Sequence, residues 1–171
     1  MKTTLNFRLT YILLIFGQMM ICNFTHFGPY VMLSILPAMI LCIPTSVSTI
    51  ACMGIAFASG LSVDWLADGI LGLNASALIP VALARKGIIR IFLGEDILAR
   101  NDSFSFRKNG VAKITLAAAV SVVLFLAVYI ILDGAGLRTL SFCITRFAVS
   151  LACCLPLSLL IVHLLTPDDR K

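Results

Sequence analysis

Between Val111 and Leu132 the chain runs for 22 residues interrupted only by Lys113, Thr115 and Ser121. A bilayer needs about 20 predominantly apolar residues per helical crossing, so this run predicts a transmembrane helix. The rest of the chain follows suit. Of its 171 residues 60% are apolar and 12% charged, against roughly 45–50% and about 25% in a soluble domain. A chain this short leaves much of its length at the periphery, and a watery surface does not absorb such an excess. A soluble enzyme, a disordered chain and a nucleic-acid-binding domain are excluded on that ground. The expectation is a single all-α, polytopic membrane domain over residues 1–171.

Pro, Gly and charge punctuate six apolar segments, at about 8–25, 30–43, 47–66, 72–93, 111–132 and 140–165. The first ends at His26-Phe27-Gly28-Pro29, a tight-turn signal. Lys2 and Arg8 precede it like the basic region of a signal peptide, but no small-x-small cleavage site follows, so it reads as a retained span. The second is short and carries Pro37, which predicts a kink or irregular tilt. Pro44-Thr45-Ser46 turns the chain, with Ser46 as the expected N-cap of the third. Gly94 to Asn109 is the one long hydrophilic loop, and Asp133-Gly134-Ala135-Gly136 makes the last turn. The fourth segment has only 14 residues, Leu71 to Ala84, before Arg85. Arg85, Lys86 and Arg90 then alternate with Ile88, Ile89, Ile91, Phe92 and Leu93. That pattern suits either a helix leaving the membrane to lie on its surface, or a tilted helix whose bases snorkel.

Orientation follows from counting bases. With six spans, one side receives Lys2, Arg8, Arg85, Lys86, Arg90, Arg100, Arg107, Lys108, Lys113, Arg170 and Lys171, which is 11 of the 13 Lys and Arg. The other side receives Arg138, and Arg146 lies within the sixth segment. Cytoplasmic loops carry the excess of Lys and Arg, so both termini are expected in the cytoplasm. Arg85, Lys86, Arg90, Arg107 and Lys108 then form a cytoplasmic basic surface.

Polar residues inside spans are expensive, and each is a functional candidate. Gly60, Asp64 and Asp68 recur at four-residue spacing on one helical face. Ala56 and Gly60 form a small-x-x-x-small pair that lets another helix approach. Two readings follow: a buried polar site facing a partner helix, a cation or a small substrate, or an outer helix end anchored by Trp65 with its aspartates among head groups. Arg146 lies six residues into the sixth segment, about 9 Å. Its expected partner is Asp64, with Asp68 as the alternative, unless it snorkels alone to the head groups. His26 and His163 belong to opposite ends of spans and make no common site. The six cysteines (Cys22, Cys42, Cys52, Cys143, Cys153, Cys154) lie in apolar runs without metal-ligand spacing and read as packing residues. No nucleophile–base pair, metal cluster or phosphate-binding loop is evident, so no catalysis, cofactor or nucleic acid is expected.

The stretch Gly60 to Leu78, GLSVDWLADGILGLNASAL, resembles the signature region of the rod shape-determining protein MreD family. Members typically show a helix ending in G-x-x-x-D, a short Gly-containing turn, and a G-h-H/N-A-like start to the next helix, where h is apolar. The matching positions are Gly60, Asp64, Gly69, Gly72, Asn74 and Ala75, with Asn74 standing where many members carry His. Asn23 followed by His26-Phe27-Gly28 is similar to a turn of Bacteroidetes-type members. The resemblance implies a six-helix bundle like the substrate-binding membrane subunits of ECF vitamin transporters. It implies a non-enzymatic inner-membrane scaffold of the cell-elongation machinery, working with a bitopic MreC-like protein and with MreB, RodA and a penicillin-binding protein among membrane lipid. The alternative it raises is a substrate-binding subunit of a small-molecule transporter.

Overall fold

The computed structural model describes residues 2–24, 28, 30–68, 70–94, 110–134 and 138–165. Described residues form helices and connecting segments without strands. Helix α1 spans Lys2–Phe24, α2 Leu36–Leu41, α3 Thr49–Val63, α4 Leu73–Leu93, α5 Val111–Gly134 and α6 Leu140–Leu165. A π-helical turn, Asp64–Asp68, extends α3. Four stretches are long and apolar enough to cross a membrane: Phe7–Phe24, Thr49–Ala67, Val111–Gly134 and Leu140–Leu165. Helix α4 has 21 residues, a similar length, but it carries Arg85, Lys86 and Arg90 and stands apart from those four.

The expected second span is corrected. Within 30–43 the only helix is α2, six residues or about 9 Å long, far short of a roughly 30 Å hydrocarbon core. Residues 31–35 are non-helical, and Pro37 falls in the first turn of α2, where a missing N–H costs no helical bond. The N-cap of α3 also moves: Ser48, not Ser46, takes an extended backbone (φ −63°, ψ 153°) and accepts from Ala51 N at 3.2 Å.

Packing runs in chain order along one side of the bundle. Helix α4 lies between α3 and α5, α5 lies between α4 and α6, and α2 inserts against α4, α5 and α6. All six residues of α2 are buried, which is why so short a helix persists. The inward face of α5 repeats every four residues through Ala118, Val122, Leu126 and Ile130, beside Ile114, Ala117, Ser121 and Phe125. Ala117, Ala118 and Ser121 put small side chains on this face, while the rings of Phe125 and Tyr129 pack with centroids 5.8 Å apart.

The outward faces are as apolar as the inward ones. Ile50 is 83% exposed, Trp65 76%, Ile91 76% and Leu140 75%. In water such contiguous apolar cover is untenable, whereas lipid chains solvate it. Because lipid replaces water there, burial is driven by packing rather than by transfer from water.

Phe125→Ala should therefore destabilise by about 2 kcal/mol or more, since the ring is fully buried and its loss leaves a void. Val123→Ala, on the exposed side, should change little. Thermal unfolding of the detergent-purified protein measures both, and equal effects would contradict this division of faces.

Candidate functional site

The residues singled out around Gly60 and Asp64 meet in one joint between α3 and α4. A Cβ added at Gly60 would stand 2.5 Å from Ala75 Cα and 2.6 Å from Ala75 N, so only glycine lets the two backbones touch. One turn later Asp64 leaves the regular α-helix and begins the π-helical turn. Its carboxylate, fully buried, reaches across to the start of α4. Oδ1 accepts from Asn74 N at 2.9 Å and from Asn74 Nδ2 at 2.8 Å. Oδ2 accepts from Gly72 N at 3.0 Å and from Ala75 N at 3.1 Å.

Each bond answers a local need. Gly72, the residue capping α4, has φ +92° and offers no side-chain oxygen. The first N–H groups of a helix have no intrahelical acceptors, and here Asp64 supplies them from the neighbouring helix. Its negative charge also sits at the positive end of the α4 dipole. With about four lone-pair positions on a carboxylate and four donors bound, none is left for a cation or substrate. Of the two readings, the buried one holds for Asp64, but as a helix-capping anion. Asp68 closes the π-helical turn; its side chain, and Gly69, lie outside the described residues, as do His26, Arg100, Arg107 and Lys108.

The expected Arg146–Asp64 pair is corrected. Arg146 Nη1 bonds Asp133 Oδ2 in a short contact, with both side chains 12% exposed. Arg138 Nε lies 3.7 Å from the same oxygen. Asp133 lies in the last turn of α5 and Arg146 on the second turn of α6, so the pair joins these consecutive helices, whereas Asp64 is already saturated.

The basic surface is corrected at Arg85. This residue is 1% exposed. Its guanidinium donates from Nε to Leu41 O at 3.3 Å and from Nη2 to Ile43 O. These carbonyls lie at and just beyond the C-terminal end of α2, the negative end of a helix dipole. Helix α4 thus neither leaves the bundle at Arg85 nor snorkels there: Ile88, Ile89 and Leu93 continue its buried face. Lys86 is half-buried and Arg90 exposed.

A third polar cluster escaped the sequence reading. The non-helical residues 31–35 lie against Ser150 and Cys154, about 15 and 21 Å from the start of α6 at 1.5 Å per residue. Ser150 Oγ accepts from Met32 N at 2.9 Å, and the Cys154 thiol both accepts from Ser34 N and donates to Met32 O, each at 3.3 Å. From the other side, Gln18 Nε2 donates to Leu33 O at 3.0 Å and Gln18 Oε1 accepts from Ile35 N at 2.8 Å. Gln18, an amide in the middle of the first apolar run, and the i,i+4 pair Ser150/Cys154 were the signals in the sequence. Cys154 is therefore a hydrogen-bonding group as well as a packing residue.

An open groove of about 610 Å³ on the outer face of α1 is lined by Arg8, Leu9, Ile12, Leu13 and Phe16. Among the described residues, no three His, Cys, Asp or Glu side chains gather to hold a metal ion. No protein-family model, curated protein or solved structure matches the chain.

The joint generates a test. Gly60→Ala should sharply lower the yield of folded protein, because the added carbon meets backbone. Gly54→Ala, where nothing lies within 4 Å, should be neutral or slightly stabilising. Asp64→Asn removes the charge and turns an NH2 group toward backbone donors, a cost of about 2 kcal/mol or more. Thermal midpoints in detergent read out all three. Equal behaviour of Gly60→Ala and Gly54→Ala would refute the close approach.

Proposed function

We propose that this chain is a non-enzymatic scaffold of the bacterial cell-elongation machinery, set in the cytoplasmic membrane with both termini in the cytoplasm. One observation carries the reading. The stretch resembling the MreD signature contributes Gly60, Asp64, Gly72, Asn74 and Ala75 to a single joint. The most polar part of the apolar sequence is thus spent on fixing one helix against another, which is what a scaffold requires of it. Its partners in this reading are a bitopic MreC-like protein and the MreB, RodA and penicillin-binding-protein assembly. The orientation is supported by the asymmetry of bases, since counting with the four membrane-crossing stretches again puts 11 of the 13 on the side of both termini.

Depletion of the protein in its rod-shaped host should give rounded cells and misplaced wall synthesis, and the tagged protein should co-purify with an MreC-like partner. Normal shape and growth on depletion would overturn the scaffold reading. Co-purification with an ATPase pair would favour the transport alternative.

Topology has its own measurement. A single cysteine at position 103 on a Cys-free background should resist membrane-impermeant maleimide in intact cells and react after permeabilisation. Labelling in intact cells would reverse the assigned orientation.

A further inference from the structure

At the end where α5 turns into α6, two arginines share one carboxylate. Arg146 is held by Asp133, while Arg138 approaches the same oxygen only at 3.7 Å through Nε, with its side chain 42% exposed. The Arg138 guanidinium lies over the Phe142 ring, 5.0 Å from its centroid. Tyr30 packs on the other part of that ring at 4.9 Å and remains 48% exposed. Two positive charges against one negative leave this end with a surplus of one. The first turn of α6 adds N–H groups without intrahelical acceptors and the positive end of a 26-residue helix.

We propose that Arg138, seated on Phe142, binds the phosphate of an anionic phospholipid at this end of the bundle. Its terminal nitrogens form a planar fork suited to two phosphate oxygens. Depth selects lipid as the source of the phosphate. Helices α5 and α6, 24 and 26 residues long, measure about 36 and 39 Å and exceed a hydrocarbon core of roughly 30 Å. Their shared end therefore emerges into the head-group layer. Phe142 itself and, two turns farther along the same face of α6, Val149 are partly exposed and offer acyl chains an apolar surface beside the cation. Free phosphate would leave that surface bare.

The test is native mass spectrometry of the detergent-purified full chain, incubated with phosphatidylglycerol or with phosphatidylcholine. One phosphatidylglycerol should be retained in preference to phosphatidylcholine. Arg138→Gln should lower its retention about tenfold, and Lys113→Gln, an exposed base at the opposite end of α5, should leave it unchanged. Millimolar inorganic phosphate should not displace the lipid; displacement would show that the anion alone suffices and overturn the lipid assignment. Equal retention by Arg138→Gln and the unaltered chain, or equal loss in Lys113→Gln, would overturn the site. Should Arg138→Gln also lower the thermal midpoint, Arg138→Lys carries the test, since it keeps the charge and lacks the fork. Retention by that variant equal to the unaltered chain would overturn the forked contact.

Discussion

A peptide group that enters a bilayer away from water must find its hydrogen-bond partner within the protein. Regular helices meet this demand internally except at their ends, and extended backbone does not meet it at all. Three buried polar side chains settle these exceptions here. Asp64 brings acceptors to the N-terminal N–H groups of α4. Arg85 brings donors to the C-terminal carbonyls of α2. Gln18 brings one donor and one acceptor to the non-helical residues 31–35. The charges are distributed as helix dipoles require, an anion at a helix start and a cation at a helix end. Among the described residues none of the three is paired with another side-chain charge, and each ties a different helix to a backbone that its own helix does not contain.

This explains how a segment too irregular to span is nonetheless part of the core. Residues 31–35 bring unpaired N–H and C=O groups to the middle of α6, and Ser150, Cys154 and Gln18 answer them from two sides. Helix α2 then needs only six residues, because Arg85 closes its end and α4, α5 and α6 cover its surface. Removing any one of these side chains would leave a backbone group unbonded in a medium without water, a larger cost than losing the same bond at a wet surface.

Much of the helical plan was legible because it rests on long apolar runs. Val111–Gly134 and Leu140–Leu165 follow directly from run length. The second segment was not legible, since apolar composition alone does not distinguish a helix from buried extended backbone. The Gly60–Asp64 spacing pointed correctly to a helix-contact face, yet the partner of Asp64 was a set of backbone N–H groups, which no residue letter reveals. The same blindness misplaced Arg85 on the surface. A positive residue near a span end ordinarily seeks water, and only the three-dimensional proximity of a helix C-terminus gives it a better alternative inside. For Arg146 the nearer acid in sequence, Asp133, prevailed over the one at the more polar stretch, because packing of consecutive helices brings together residues that helix periodicity cannot foresee.

The α3–α4 joint and the α5–α6 connection consequently differ in kind. At the α3–α4 joint the Asp64 carboxylate is buried and saturated by four N–H donors, and Gly60 leaves no room for even a methyl group between the backbones, so this joint is rigid and chemically closed. At the α5–α6 turn the charge is only half neutralised, and one guanidinium faces outward on an aromatic ring. A closed joint fixes helix geometry without engaging anything outside, while an open cation engages what surrounds it. Rigid internal polarity and outward charge therefore fall on different helix pairs, and the outward charge can be altered at Arg138 while the four bonds that set α3 against α4 remain in place.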